Sequence, residues 1–260
     1  MERRLSLVFL GVGVFAIVLT IGFFAQIGAI TGLWMWPDGR LTYIFIASIT
    51  AAIALPAVWI GLSQDWAAAL GGGVNLALQA AGISLFLTQM SLSGGQTYWP
   101  HVVVFGIFTL VNLGLVVWAR RFALKDSRST PMLVRLSFAV FTGVLLLVSV
   151  SLLLKTPNIF PWPLKPETSV LIGWVFFGTT FYFAYGVWRA RWSNAVGQLL
   201  GFLAYDLVLI VPFIGHFSSV LPEQRLSLII YAGVLIYSGA LAIYFLFIHP
   251  TWRLRRPSPI

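Results

Sequence analysis

Residues Leu5–Ala29 read LSLVFLGVGVFAIVLTIGFFAQIGA, an unbroken apolar run without one charged side chain. A helix needs about 20 apolar residues to cross the hydrocarbon core of a bilayer. The run is therefore long enough to span. It follows Met1-Glu2-Arg3-Arg4, the usual opening of a secretory signal. Signals, however, carry apolar regions of roughly 7–15 residues and end in a small-x-small cleavage site, and neither holds here. The segment reads as an uncleaved first span.

The same reading recurs along the chain at Leu41–Leu62, Trp66–Met90, His101–Ala119, Met132–Leu154, Thr168–Trp188, Asn194–Phe217 and Leu226–Ile248. A transmembrane barrel would instead alternate apolar and polar residues in segments of about ten, and none do. The expected fold class is all-α: a polytopic α-helical membrane protein with eight transmembrane helices. Composition agrees, with 59% hydrophobic and only 9% charged residues and a mean hydropathy of +0.94. A soluble domain carries about a quarter of its residues charged. No segment is left over for one.

Lysine and arginine set the expected orientation, because short cytoplasmic loops are enriched in them. An N-terminus inside places Arg3, Arg4, Arg120, Arg121, Lys125, Arg128, Arg135, Arg189, Arg191, Arg253, Arg255 and Arg256 on the cytoplasmic side, leaving Arg40, Lys155, Lys165 and Arg225 outside. Tryptophan prefers headgroup depth and gives a second indication. Trp34, Trp36, Trp99 and Trp162 fall at outer span ends, while Trp59, Trp66, Trp118, Trp188, Trp192 and Trp252 fall at inner ends. Both termini are expected in the cytoplasm, with the chain multi-pass in the cell's inner (plasma) membrane.

Four landmarks recur in the same order and predict an internal duplication. Arg4-Leu5-Ser6 matches Arg135-Leu136-Ser137, Trp36-Pro37 matches Trp162-Pro163, and Val58-Trp59 matches Val187-Trp188. Trp66-x-x-Ala69-x-Gly71 matches Trp192-x-x-Ala195-x-Gly197. This divides the chain into a four-helix repeat at 1–122, a basic cytoplasmic linker at 123–131 and a second repeat with a basic tail at 132–260. An even number of spans per copy makes the copies parallel. The small residues of span three, among them Ala67–Ala69 and Gly71–Gly73, predict close helix approach there.

Asp206 is the one acidic residue near the middle of a span. A charge there costs about 2.5–3.5 kcal/mol on insertion scales, and such residues mark proton or ion paths or lock helices together. It is expected to be protonated, hydrogen-bonded to another helix or coordinating a cation. Asn75 and Gln79 lie one turn apart on span three, Asn112 sits mid-depth in span four, and Tyr205 precedes the acid. Together Asp206, Tyr205, Asn75, Gln79 and Asn112 form the candidate polar site, expected at the seam of the two repeats. Polar residues also serve as ordinary interhelical glue.

His101 and His216 stand at outer span ends and His249 at an inner end, spacing that suits interfacial anchors better than haem or metal ligation. The chain has no cysteine, which excludes disulfides, thiolate metal sites and cysteine nucleophiles. No His-Glu-x-x-His, Gly-x-Ser-x-Gly, P-loop or dinucleotide glycine pattern occurs. No catalytic residue, metal or bound cofactor is expected, and the reading leans away from an enzyme. The net charge of +9 lies between apolar segments, where its partners are the bilayer and anionic headgroups rather than nucleic acid.

Three functions fit these features. The first is a non-catalytic subunit or scaffold of a membrane complex, packed against other subunits or against itself. The second is a small ion- or proton-coupled transporter or channel working around Asp206. The third is a binder or enzyme for a lipid-soluble molecule such as a quinone, isoprenoid or pigment, using the aromatic span six with Trp174, Phe176, Phe177, Phe181, Tyr182, Phe183 and Tyr185.

Overall fold

The computed structural model describes residues 2–94 and 96–254. Among them the chain is all-helical, at 78% helix with no strand. Eight helices are long and apolar enough to cross a membrane. They are α1 Glu2–Phe24, α2 Arg40–Ser63, α3 Ala69–Leu92, α4 Trp99–Ala119, α5 Met132–Leu153, α6 Pro166–Trp188, α7 Trp192–His216 and α8 Arg225–Ile243. A 3-10 turn at Trp66–Ala68 leads into α3, and a π-helical stretch, Tyr244–Ile248, extends α8. Arg255 and Arg256 of the basic tail, and Gly95 of an outer turn, lie outside the described residues.

Local chemistry sets the helix ends. Pro100 and Pro166 sit in the first turns of α4 and α6, where a missing N–H leaves no bond unmade. Gln64 takes the left-handed conformation that stops α2, and Gly94, at φ +83°, turns the chain after α3. Pro56 and Pro212 lie inside helices that continue through them.

The chain separates into two compact units. The first comprises residues 1–65, 160–163 and 196–260, hence α1, α2, most of α7 and α8; the second comprises 66–159 and 164–195, hence α3 to α6 and the first turn of α7.

In the first unit α1 and α2 meet at small residues. A Cβ on Gly13 would lie 2.5 Å from Val58 Cγ2, and one on Gly61 would lie 3.0 Å from Leu10 Cγ. The Thr20 and Thr50 hydroxyls bond across this contact at 2.9 Å. α7 approaches α2 at Gly201, where a Cβ would stand 3.4 Å from the Ala52 carbonyl oxygen. That carbonyl is the one Pro56, lacking an N–H, cannot bond.

In the second unit α3 packs against both α4 and α6, and α5 packs against α6. Gly73 faces Val116, Gly82 lies under the Trp174 ring, and Gly71 receives Tyr182 and Tyr185. Aromatic residues of α6 are thus seated on glycines of α3. Phe183, on the other side, packs against Phe138 and Phe141 of α5 at 5.3 and 5.9 Å. Ser149 and Ser169 donate across α5 and α6 to the Gly173 and Leu152 carbonyls, both at 2.9 Å.

The linker between α4 and α5 is tied to the turn between α6 and α7. Trp192 N–H donates to Arg128 O at 2.8 Å and Thr130 N–H to Ala190 O at 3.0 Å. Arg191 Nη1 donates to Ser127 O at 2.8 Å. Asp126 pairs with Arg128 at 2.5 Å. Its hydrogen bonds, and then its charge, hold that guanidinium above its ordinary pKa against the opposing effect of burial.

The tightest of these contacts to backbone is at Gly178, where a Cβ would stand 2.5 Å from the Asn75 carbonyl oxygen. Gly178→Ala should lower stability in detergent by about 1–3 kcal/mol. Gly143→Ala, where nothing lies within 4 Å, should change it by under about 0.5 kcal/mol. Thermal unfolding of the two variants beside the parent checks both.

Candidate intramembrane site at Asp206

Each expected polar residue is buried or half-buried, and they fall into three local settings. In the second unit Gln79 Nε2 donates to Asn75 Oδ1 at 2.5 Å, as residues one turn apart on a helix can. The pair faces Gly178 of α6. Asn112 Nδ2 donates to the Phe108 carbonyl of its own helix at 2.8 Å. These amides find partners without leaving their helices. Tyr205 and Asp206 belong to the first unit.

Asp206 is 6% exposed, and neither carboxyl oxygen has a hydrogen-bond partner among the described residues. It faces α8, where a Cβ on Gly239 would lie 3.4 Å from Oδ2. A Cβ there would make ordinary van der Waals contact with the carboxyl. Ser238 stands beside it, within reach of a bond, but the Ser238 hydroxyl donates to Val234 O at 2.8 Å. Its one proton is used there.

The neighbouring hydroxyls have partners of their own. Tyr205 and Tyr231 share a short hydrogen bond, and both lie close enough to Asp206 to feel its charge. Ser48 of α2 stands beside the Tyr205 phenol and donates to Phe45 O at 2.6 Å. Its proton is thereby committed to the backbone. Either phenol can be the donor in the Tyr205–Tyr231 bond.

An aromatic layer adjoins these phenols. Phe45 lies 6.0 Å from the Tyr205 ring and 5.0 Å from Phe160, while Tyr231 lies 5.8 Å from Phe160 and 5.1 Å from Phe213. Trp162 closes the layer and donates through Nε1 to Thr42 Oγ1 at 3.1 Å. His216 Nε2 donates to Pro161 O at 2.8 Å, holding the segment that carries Phe160 and Trp162. His216 Nδ1 meets Ser219 Oγ at 3.0 Å, so its ring already has protein partners. No group of three or more His, Asp or Glu able to hold a metal occurs among the described residues.

Sequence reasoning missed Ser48, Tyr231 and Ser238. Tyr231 and Ser238 are seven residues apart, two turns of one helix face, and that spacing was the available signal. Ser48 gave none. The comparisons add no relative: no protein-family model, curated protein or solved structure matches the chain.

A carboxyl that locks helices must make hydrogen bonds, and removing them costs about 1–3 kcal/mol. Asp206 makes none, so Asp206→Leu should unfold at the same or a higher temperature than the parent. A drop of several degrees in thermal denaturation would instead mark the acid as structural.

Proposed function

We propose that this chain is a small multi-pass transporter driven by or carrying a proton or a small cation, with Asp206 as the intramembrane group that binds and releases it. The observation that carries the reading is the buried carboxyl whose two oxygens have no hydrogen-bond partner among the described residues, beside a Ser238 hydroxyl that donates to the Val234 carbonyl instead. Such an acid has capacity for one more proton or for a cation. Buried acids inside spans commonly serve proton and ion paths.

The proposed duplication supports a functional acid over an architectural one. Trp36, Trp66 and Asn75 lie 126 residues before Trp162, Trp192 and Gly201, and the same interval, though not the 129 residues between Val58-Trp59 and Val187-Trp188, pairs Ala52 with Gly178. In the first unit Gly201 meets the Ala52 carbonyl; in the second, Gly178 meets the Asn75 carbonyl. In both places a glycine of one helix meets a backbone carbonyl of the other, with the roles of the paired positions exchanged. The pairing implies that α1–α2 and α5–α6 descend from one hairpin and α3–α4 and α7–α8 from another. Each compact unit then holds one hairpin of each kind. At this interval Asp206 corresponds to Ala80 and Ser238 to Asn112. A related helix arrangement thus stands without the acid.

The orientation proposed for this transporter follows the lysine and arginine bias, with both termini cytoplasmic in an inner membrane. A second reading, a non-catalytic subunit, is favoured by α1 and α4, whose apolar windows are only 22% and 17% buried within the chain. Lipid would cover such faces as readily as a partner.

Reconstitution in liposomes with an internal pH dye tests the first reading. Imposed gradients of Na⁺, K⁺ or small ammonium ions should drive proton movement through the parent chain. Asp206→Asn should abolish it, with Asp206→Glu retaining part. If the Asn variant moved every cation and proton at the parental rate, the proposal would fail.

A further inference from the structure

We infer that Phe160-Pro161-Trp162-Pro163 is a seal over Asp206, closing the first unit at the start of α2 and the end of α7. As a gate it matters only if Asp206 carries the ion of the proposed transport. As a cover over the acid it can be measured without any transport.

The segment touches α2, α7 and α8, and on each it touches the part nearer one common end. On α2, which begins at Arg40, Trp162 Nε1 donates to Thr42 Oγ1 at 3.1 Å, and the Phe160 and Trp162 rings lie 5.0 and 5.9 Å from Phe45. On α7, which ends at His216, Trp162 lies 5.8 Å from Phe213, and Pro161 O accepts from His216 Nε2 at 2.8 Å. On α8, which begins at Arg225, Phe160 lies 5.8 Å from Tyr231. The acid lies deeper. Asp206 is ten residues before the end of α7, about 15 Å of helix, and Gly239, which it faces, is eight residues beyond Tyr231, about 12 Å.

Connecting segments usually run over the surface. This one buries its rings: Phe160 and Trp162 are 2% and 5% exposed, although the four residues interrupt chain that belongs to the second unit. The two rings meet edge to face at 4.8 Å and pack in the same manner on Phe45 and Phe213. An ion entering from that end would have to cross this aromatic layer to reach the carboxyl. Apolar constrictions of this kind stop ions by dewetting.

The attachments suit a cover that moves. Pro161 and Pro163 have no N–H, so neither leaves a backbone donor unpaired when the segment lifts. The indole bond ends on Thr42, whose hydroxyl donates on to Asp38 Oδ1 at 3.0 Å, and the bond to Pro161 O comes from a side chain at the helix end. Water can replace both partners.

Because the chain has no cysteine, a single introduced thiol is unique. Three separate variants of the full chain are placed in liposomes: Ser238→Cys, next to the Gly239 that Asp206 faces; Ser218→Cys, on the exposed turn after α7; and Ser149→Cys, buried in the second unit. Each is reacted with a charged, membrane-impermeant methanethiosulfonate, and clipping of an added C-terminal tag by external protease sorts the molecules by orientation. With the α7 end outward, Ser238→Cys should react at least about a hundredfold more slowly than Ser218→Cys. Trp162→Phe, which removes the indole donor and keeps a ring, should speed Ser238→Cys about fivefold, and Phe160→Ala/Trp162→Ala more than about tenfold, with Ser149→Cys unchanged. Equal rates at Ser238→Cys and Ser218→Cys, no acceleration in either seal variant, or equal acceleration at Ser149→Cys would each overturn the inference. These rates do not depend on ion movement. A failure of the transport reading therefore leaves them as expected, and a failure of the seal leaves proton transport through Asp206 standing.

Discussion

Lipid tails are as apolar as leucine, so helices inside a bilayer gain little by hiding apolar surface from one another. They associate where backbones come close enough for dense packing and for interhelical hydrogen bonds. Every helix pair described here meets that condition with a glycine: Gly13 and Gly61 between α1 and α2, Gly73 between α3 and α4, Gly82 and Gly178 between α3 and α6, and Gly173 between α5 and α6. Serine and threonine hydroxyls then bond across the gaps that the glycines open. Bulky partners such as Trp174 and Leu153 fill what remains.

The Asp206 site grows out of the same constraint. The carboxyl lies against α8 at Gly239, and α7 meets α2 at Gly201. At that approach Pro56 leaves the Ala52 carbonyl without its helical donor. The hydroxyls near the acid satisfy one another or the backbone, an economical arrangement in hydrocarbon, where an unmade bond is expensive. The carboxyl has no hydrogen-bond partner among the described residues.

Asp206 was legible in the sequence because an acid amid Leu203, Leu207 and Leu209 has no ordinary reason to be there. The Asn75–Gln79 pair was legible because helical periodicity alone makes residues four apart neighbours. Grouping Asn75, Gln79 and Asn112 with Tyr205 and Asp206 required knowing how distant helices pack, and they fall in different compact units. The true neighbours of the acid, Ser238 of α8 and the Tyr205–Tyr231 pair with Ser48 of α2, look like any polar residues in an apolar run. The aromatic residues of α6 suggested a groove for a lipid-soluble molecule, yet Trp174, Tyr182 and Tyr185 are spent on the glycines of α3.

By itself the sequence determined the helices and their number, since crossing a bilayer depends on local length and apolarity; the end of the first span, read at Ala29, falls instead at Phe24. The sequence also marked the acid. Tertiary structure alone decided which helices form each unit, that Gly201 meets the Ala52 carbonyl and Gly178 the Asn75 carbonyl, and that the carboxyl has no hydrogen-bond partner among the described residues. Those outcomes depend on which small residue faces which large one across helices far apart in the chain. No local pattern encodes that match.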